Sequence, residues 1–415
     1  MRPLTIETLE ELVSRSDSAA ADQRRAAFET FAALPMPSPK DESWRYVELD
    51  MDLERYGLAE EPGETLADDA FVGSVEDAVG RATIVDGYVT SVEHDSKAAF
   101  EARLDLTGVE DPSGDKFAAA SLAFAGEGVV LDVPNGTTVE RPFIIDIQAT
   151  QPGAISFPSV NVRLGDDAEA SVLVLMRSSD GAVAHAPSVT LHAGHAARLR
   201  YTSAQVMGGD AISIVRQRAH AGNDATVRLG EVGLGGAFSR VDLGVALEGN
   251  GSSVEVVGLY FGEHQQVLDY RMVMDHIGRN TSSDVFLKGA VEDEARSVFT
   301  GLLRIEKEAV RTSAFETNRN LVLSPGAKAH SVPNLEILCD DVICGHGSSV
   351  GPLEEEHLYY LQSRGISRAR AERLLIRGFF SEVIDRLPST RLANPIRDVV
   401  YRRFSEAQQA GRIAT

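Results

Sequence analysis

The chain has 415 residues, 43% hydrophobic and 25% charged, enough to bury sizeable cores in two or three domains and too apolar for wholesale disorder. Its 62 Asp and Glu against 40 Lys and Arg leave a formal charge of −22, a surface that repels phosphate backbones and argues against nucleic-acid binding. Two cysteines, Cys339 and Cys344, cannot build a disulfide framework, and no apolar run of about 18 residues or apolar signal core is present. The expectation is a cytoplasmic protein that spans no membrane. Only six of the cations are Lys, and an acid-rich, Lys-poor surface suits high salt.

In chain order, Leu4, Leu9, Leu12, Val13, Ala26, Ala27 and Phe31 predict a helix over the first 33 residues, stopped by Pro35, Pro37 and Pro39. A mixed segment follows to about residue 125, with one predicted strand at ATIVDGYVT. From 126 the pattern changes. Short β-rich runs alternate with turn clusters, and Gly136, Gly165, Gly194, Gly222, Gly249 and Gly278 lie 29, 29, 28, 27 and 29 residues apart. The next turn falls near Lys307, where RIEKEAVRT has the polarity but no glycine. Between turns apolar residues alternate, as in Val241, Leu243, Val245 and Leu247. A repeat of this length marks stacked coils, because one coil cannot bury its inward face alone. Val, Thr and Gly disfavour helical repeats, so a parallel β-helix over 126–350 is expected, with a β-sandwich as the competing architecture.

After residue 351 the chain turns helical. Pro352 opens a helix from Leu353 to Arg364 that Gly365 caps, Ser367 starts a second running to Leu387, and Asn394 and Pro395 start a third. The middle helix carries Leu375, Ile376, Phe379, Phe380, Val383 and Ile384, an apolar surface too wide for one buried face. It is either buried among neighbours of its own chain or a docking surface for a partner. Gly378, in its middle, suggests a close backbone approach. The expected domains are 1–125, 126–350 and 351–415.

Several motifs bear on chemistry. No GxxxxGK[ST] phosphate loop occurs, so the chain is not expected to hydrolyse ATP. Gly233, Gly235 and Gly236 imitate a dinucleotide loop but lack the following helix. Gly347-Ser348-Ser349-Val350-Gly351 matches the GxSxG spacing, yet Pro352 interrupts the helix an elbow needs, and His357 is the only histidine after Ser349. LEILCDDVICGHGSSVG is the most informative segment. In an extended strand Cys344 and His346 share one face, and a thiolate beside an imidazole can bind iron or zinc. A tetrahedral ion or a cluster wants four ligands, so a metal centre here must borrow donors from elsewhere. The alternative is a buried thiol beside a hydrogen-bonded histidine. An exposed groove of carboxylates such as Asp269, Asp275 and Glu292 would instead suit a β-helix enzyme acting on polysaccharides. A homodimeric structural protein is a third option.

The run from about 284 to 386 resembles the shared core of the SufB/SufD family of iron–sulfur cluster assembly proteins. DVFLKGAV, ARSVFTGLLRIEKEA, SAFETNRNLVLSPGAKAHSVPNLEI, DDVICGHGSSVGPLEEEHLYYLQSRGI and RLLIRGFFSEVI carry the resemblance. PSPKDESWRYVELD and KFAAASLAFAGEGVVLDVPNGTTVERP match more weakly. Trp44-Arg45-Tyr46 and the Cys344-x-His346 pattern look like the SufD branch; a SufB-type subunit, richer in core cysteine, is the alternative. The resemblance implies a mainly β fold, a right-handed parallel β-helix core flanked by N-terminal and C-terminal helical segments. It implies a non-catalytic scaffold subunit that pairs with SufB and binds the SufC ATPase, itself holding no nucleotide. The ATPase would dock on Leu375, Phe379, Phe380 and Val383. His346, and less securely Cys344, would face a nascent iron–sulfur cluster shared with the partner.

Overall fold

The computed structural model describes residues 1–67, 77–106, 114–388 and 390–409. Two sheets of ten and eleven strands, parallel except for an antiparallel strand at the N-terminal edge of each, face one another, and the chain alternates between them, laying one strand of each coil in each sheet. Thr226–Gly235 pairs with Ser253–Gly262 in one sheet, while Phe238–Leu247 pairs with Val267–His276 in the other, all parallel and in register. This is the expected β-helix, not a sandwich of antiparallel hairpins. Period-2 alternation sends one row of each strand into the lumen, where Val241, Leu243, Tyr270, Met272 and their equivalents form a continuous core along the axis.

The glycine period has a steric cause. Gly165, Gly194, Gly222, Gly249 and Gly278 stack at one corner, each against the backbone or a short side chain of the coil before. A Cβ at Gly278 would stand 2.5 Å from the Gly249 carbonyl oxygen. Two residues beyond each glycine the chain is left-handed: Asp167, Ala196, Asp224, Gly251 and Asn280 have φ between 53° and 73°. Asn and Asp tolerate that region, and the Asn or Asp just before the left-handed residue ties coil to coil with its side chain. Asn223 Oδ1 accepts from the Asn250 N–H, and Asn250 Oδ1 from the Arg279 N–H. The coil near Lys307 makes the same corner without glycine, placing Arg311 at φ 62°.

Helices cover both outer faces. Against the eleven-stranded sheet lie α1 (Ile6–Val13), α2 (Ser18–Ala33) and α3 (Lys116–Phe124), burying Leu9, Phe31, Phe117 and Phe124 with Ile214 and Phe238. After α4 (Glu355–Ser363), α5 (Arg368–Ile384) and α6 (Thr390–Gln409) pack on the ten-stranded sheet, where Ile376, Phe380, Val383 and Ile384 meet Leu173, Val232 and Leu259.

Local expectations are corrected in four places. The single N-terminal helix is two, because Asp17 caps a new start with its carboxylate on the Ala20 N–H at 2.8 Å. ATIVDGYVT is a hairpin, Gly80–Val85 and Tyr88–His94, turning at Asp86-Gly87, both left-handed. Those strands extend the ten-stranded sheet ahead of residue 126. The last helix begins at Thr390 and runs across Pro395.

Candidate functional site

The coils end in the open. Lys328–Ile337 and Val342–Gly351 are the last strands of the two sheets, and among the described residues none pairs beyond them. No described coil is stacked on this last one, so the inward row of Val342–Gly351 is only half-covered at Cys344 and exposed at His346. Around this end Ile343 is 69%, Leu338 53% and Val350 45% exposed, an apolar rim on an otherwise acidic chain.

Cys344 and His346 share the inward face of the last strand, as their spacing requires, and pair in register with Ala314 and Glu316 one coil below. Cys344 is half-buried against the lumen core, His346 is exposed, and both cysteines are free thiols. Cys339 lies outside this strand, in the preceding turn, and is buried in the core. A thiolate and an imidazole fit iron, but they supply only half a tetrahedral set. Among the described residues no three His, Cys, Asp or Glu side chains gather closely enough to hold an ion. Whatever metal binds here needs donors that the mouth does not yet present.

Beneath the mouth the lumen is polar, which sequence reading missed. Glu316 is 2% exposed, neither carboxylate oxygen has a hydrogen-bond partner among the described residues, and burial pushes its pKa up to about 8. Its carboxyl lies over Gly301 on the facing strand, where a Cβ would overlap it. Farther in, Tyr260 donates to Asn320 Oδ1 at 2.6 Å, Asn320 to Asn318 Oδ1 at 2.6 Å, and Gln217 to Glu231 Oε2 at 3.1 Å. Burial raises Glu231 to about 8 as well. Glycines make this room: a Cβ at Gly289 or Gly233 would overlap Tyr260 or the Tyr270 hydroxyl.

The rival motifs dissolve. Gly347–Gly351 lies within a strand without any elbow, and His357 pairs with Glu354 at 3.0 Å on the surface of α4. Gly235 and Gly236 form a tight turn, both left-handed. Asp269 and Glu292 are buried, not aligned along an exposed groove. Asp269 pairs with Arg240 and Arg271, and these guanidiniums also hold the carbonyls of Ser43, Glu42 and Arg45. Arg240 stacks 4.1 Å from the Trp44 ring, so Trp44 is an anchor for the N-terminal segment. Tyr46, left-handed at φ 75°, stacks on His330 of the last coil at 5.7 Å.

On α5, Phe380 and Val383 are wholly buried against the chain's own sheet, because the helix spans both its neighbours' apolar faces; they are unavailable to a partner. Leu375 and Phe379 are half-buried and Leu374 exposed. A Cβ at Gly378 would meet nothing within 4 Å beyond its own helix among the described residues, so no other part of the chain approaches closely there. It lines, with Leu375, Phe379, Val350 and His357, a groove of about 600 Å³ running from α5 to the open mouth. Lys288 clamps the helix from below, donating to Glu382 at 2.6 Å and the Phe379 carbonyl at 2.8 Å.

Fold and site together define a parallel β-solenoid protein with a thiol–imidazole pair at an uncapped end. The family model described as "SUF system FeS cluster assembly, SufBD core domain" matches residues 145–379, more than half of the chain. The chain belongs to this SufBD family of iron–sulfur cluster assembly proteins. It is 33% identical to the iron-sulfur cluster assembly SufBD family protein Rv1462 of Mycobacterium tuberculosis over 363 residues, 86% of each chain. It is similar to Protein ABCI7, chloroplastic, of Arabidopsis thaliana at 27% identity, covering 95% of this chain and 89% of that one. To the iron-sulfur cluster assembly protein SufD of Escherichia coli it is 34% identical over 164 residues, 40% of this chain and 39% of that protein.

Proposed function

We propose that this chain is a SufD-type, non-catalytic scaffold subunit of a cytoplasmic iron–sulfur cluster assembly complex. It pairs through its open end with a SufB-like β-helix and carries a SufC-like ATPase on its C-terminal helices. The cluster is cargo, built at the joint between subunits and passed on. One observation carries the reading: the only thiol–imidazole pair at the lumen mouth stands inside an exposed apolar rim that a second subunit would cover. Unpaired edge strands are a natural site for pairing with another chain, and burying Ile343, Leu338 and Val350 supplies an apolar centre for that joint. The groove beside Leu374, Leu375 and Phe379 offers the ATPase a separate face. ATP-driven movement of the ATPase subunits would then strain and open the joint, admitting iron and sulfide.

The test is co-expression with the SufB-type and SufC-type chains of the same host. Ile343→Asp is expected to abolish co-purification of the SufB-type chain and leave the ATPase bound. His346→Ala is expected to leave the complex whole while cluster formation, followed anaerobically by visible absorption, slows at least tenfold. An Ile343→Asp complex of unchanged composition, or normal cluster formation with His346→Ala, overturns the reading. So does an isolated monomer that holds a full cluster stoichiometrically.

A further inference from the structure

We propose that the cavity between the N-terminal helices and the first coils binds a small amphipathic carboxylate, with Arg24 as its counter-ion. This site is separate from the assembly reading: it lies beside the Gly80–His94 hairpin, at the opposite end of the solenoid from the mouth. The cavity measures about 330 Å³, near the lower end of the ~300–1,000 Å³ range of small-molecule sites. Leu12, Leu58, Phe124 and Phe157 give it apolar walls, and Arg2, Arg15 and Arg24 stand among them.

Arg24 is a buried charge without a counter-charge. It is 2% exposed, and among the described residues no carboxylate pairs with it. Its guanidinium donates to Ser16 Oγ at 3.1 Å and to the carbonyls of Ala123 and Ala125 at 2.7 and 2.6 Å. These bonds take three of its five N–H donors, so two remain. Burial lowers its pKa to about 10, which still leaves a cation at neutral pH. Buried cations are normally met by an opposite charge. The carboxylates at the wall do not meet this one. Asp86 accepts from Thr150 and Gln151, and Glu127 is exposed.

Two further polar atoms at the cavity lack partners. Ser156 is 3% exposed and its Oγ makes no hydrogen bond among the described residues, and the buried Arg2 Nε makes none either. Unpaired donors set among apolar walls suit a ligand with one acceptor end and an apolar body. Charge fixes the class. Arg2 already has Glu11 at 3.5 Å, so one buried cation remains to be balanced, and a carboxylate brings one negative charge. A phosphate ester would bring a second charge against the apolar walls.

The experiment is calorimetric titration of the full-length chain with octanoate, and with octanol as the neutral analogue. Octanoate is expected to saturate at one per chain and to bind at least tenfold more tightly than octanol. Arg24→Met is expected to erase that preference, and Ser156→Ala to weaken octanoate several-fold, with circular dichroism to verify each fold. Leu12→Trp, which narrows the cavity and keeps every cation, is expected to abolish binding; it serves if the Arg24 variant misfolds. Equal affinity for octanoate and octanol would show an apolar void and overturn the inference. So would octanoate binding that survives Leu12→Trp, or no saturable octanoate binding at all. None of these results touches the assembly reading, which rests on the mouth.

Discussion

Alanine at the stacked corner glycines tests the coil geometry directly. A Cβ at Gly278 meets the Gly249 carbonyl oxygen at 2.5 Å, the Gly249 carbonyl carbon at 2.6 Å and the Glu248 oxygen at 2.9 Å, all backbone. Ordinary contact needs about 3.5 Å, so the coils must part by close to 1 Å at a corner where strand pairing sets the spacing. Backbone cannot swing aside as a side chain tip does. Overpacking of this kind costs about 1–3 kcal/mol, and the upper end applies here. Alanine also stiffens the unfolded chain, which returns about 0.4–1 kcal/mol. The net expectation for Gly278→Ala is a loss of about 2 kcal/mol. Gly222→Ala, whose Cβ would meet backbone at 3.0–3.3 Å, should lose less than half of that. Gly347→Ala, with nothing within 4 Å, should be neutral or slightly stabilising. Urea unfolding gives the ranking, and amide exchange at residues 249–251 and 278–280 locates the damage. Equal stability of Gly278→Ala and Gly347→Ala would refute the steric account of the repeat.

Burial also predicts a pH window. Glu231 and Glu316, pushed up to about 8, stay protonated in the fold while the unfolded chain ionises near 4.5, so stability falls as pH rises between those values. His185 and His276, lowered to about 4, act oppositely: their contribution is full above 6.5 and is lost as pH falls toward 4. The two pairs offset below about 6.5, leaving a decline from about 6.5 to 8 on the order of 1 kcal/mol per pH unit for each glutamate. Urea midpoints across that range should drop, and Glu231→Gln should roughly halve the slope; a flat profile would contradict the burial of both carboxyls. Arg240→Ala leaves the wholly buried Asp269 carboxylate with Arg271 alone and frees Trp44, for a loss of about 3 kcal/mol. Trp44 is the single tryptophan, so its emission should shift to the red, and an unchanged spectrum would show that the N-terminal segment is held otherwise. Phe380→Ala should cost about 3–5 kcal/mol of stability, whereas Leu374→Asp should leave unfolding unchanged and, on the proposed function, weaken co-purification of a SufC-type ATPase. The reverse pattern would mean that the buried face of α5 has been misassigned.

Much of the architecture was legible in the residues because it rests on local rules repeated many times. The 27–29-residue glycine period reports a corner where successive coils touch backbone to backbone, and a Cβ is barred at each. Alternation in Val241–Leu247 reports an inward row, and Cys344-x-His346 must share a face wherever a strand carries them. Gly365, left-handed at φ 83°, ends α4 where expected. Capping by Asp17 and the Asp86-Gly87 turn were also written in the sequence, but their strength depends on neighbours that a linear reading does not weigh.

The lumen and the outer faces were decided only by tertiary structure. In SAFETNRN, hydropathy alone points Phe315 inward and Glu316 outward, and the fold does the opposite: Phe315 is 44% exposed and Glu316 buried. Pairing register rules there, since Glu316 stands on the column running from Val285 to His346, and Gly301 across the lumen makes room for it. Likewise Phe380 and Leu374 are equally apolar in sequence, yet only Phe380 meets the sheet. A sequence states which side chains are apolar or charged; which of them end up facing one another follows from coil stacking and helix docking, set by contacts between residues far apart in the chain.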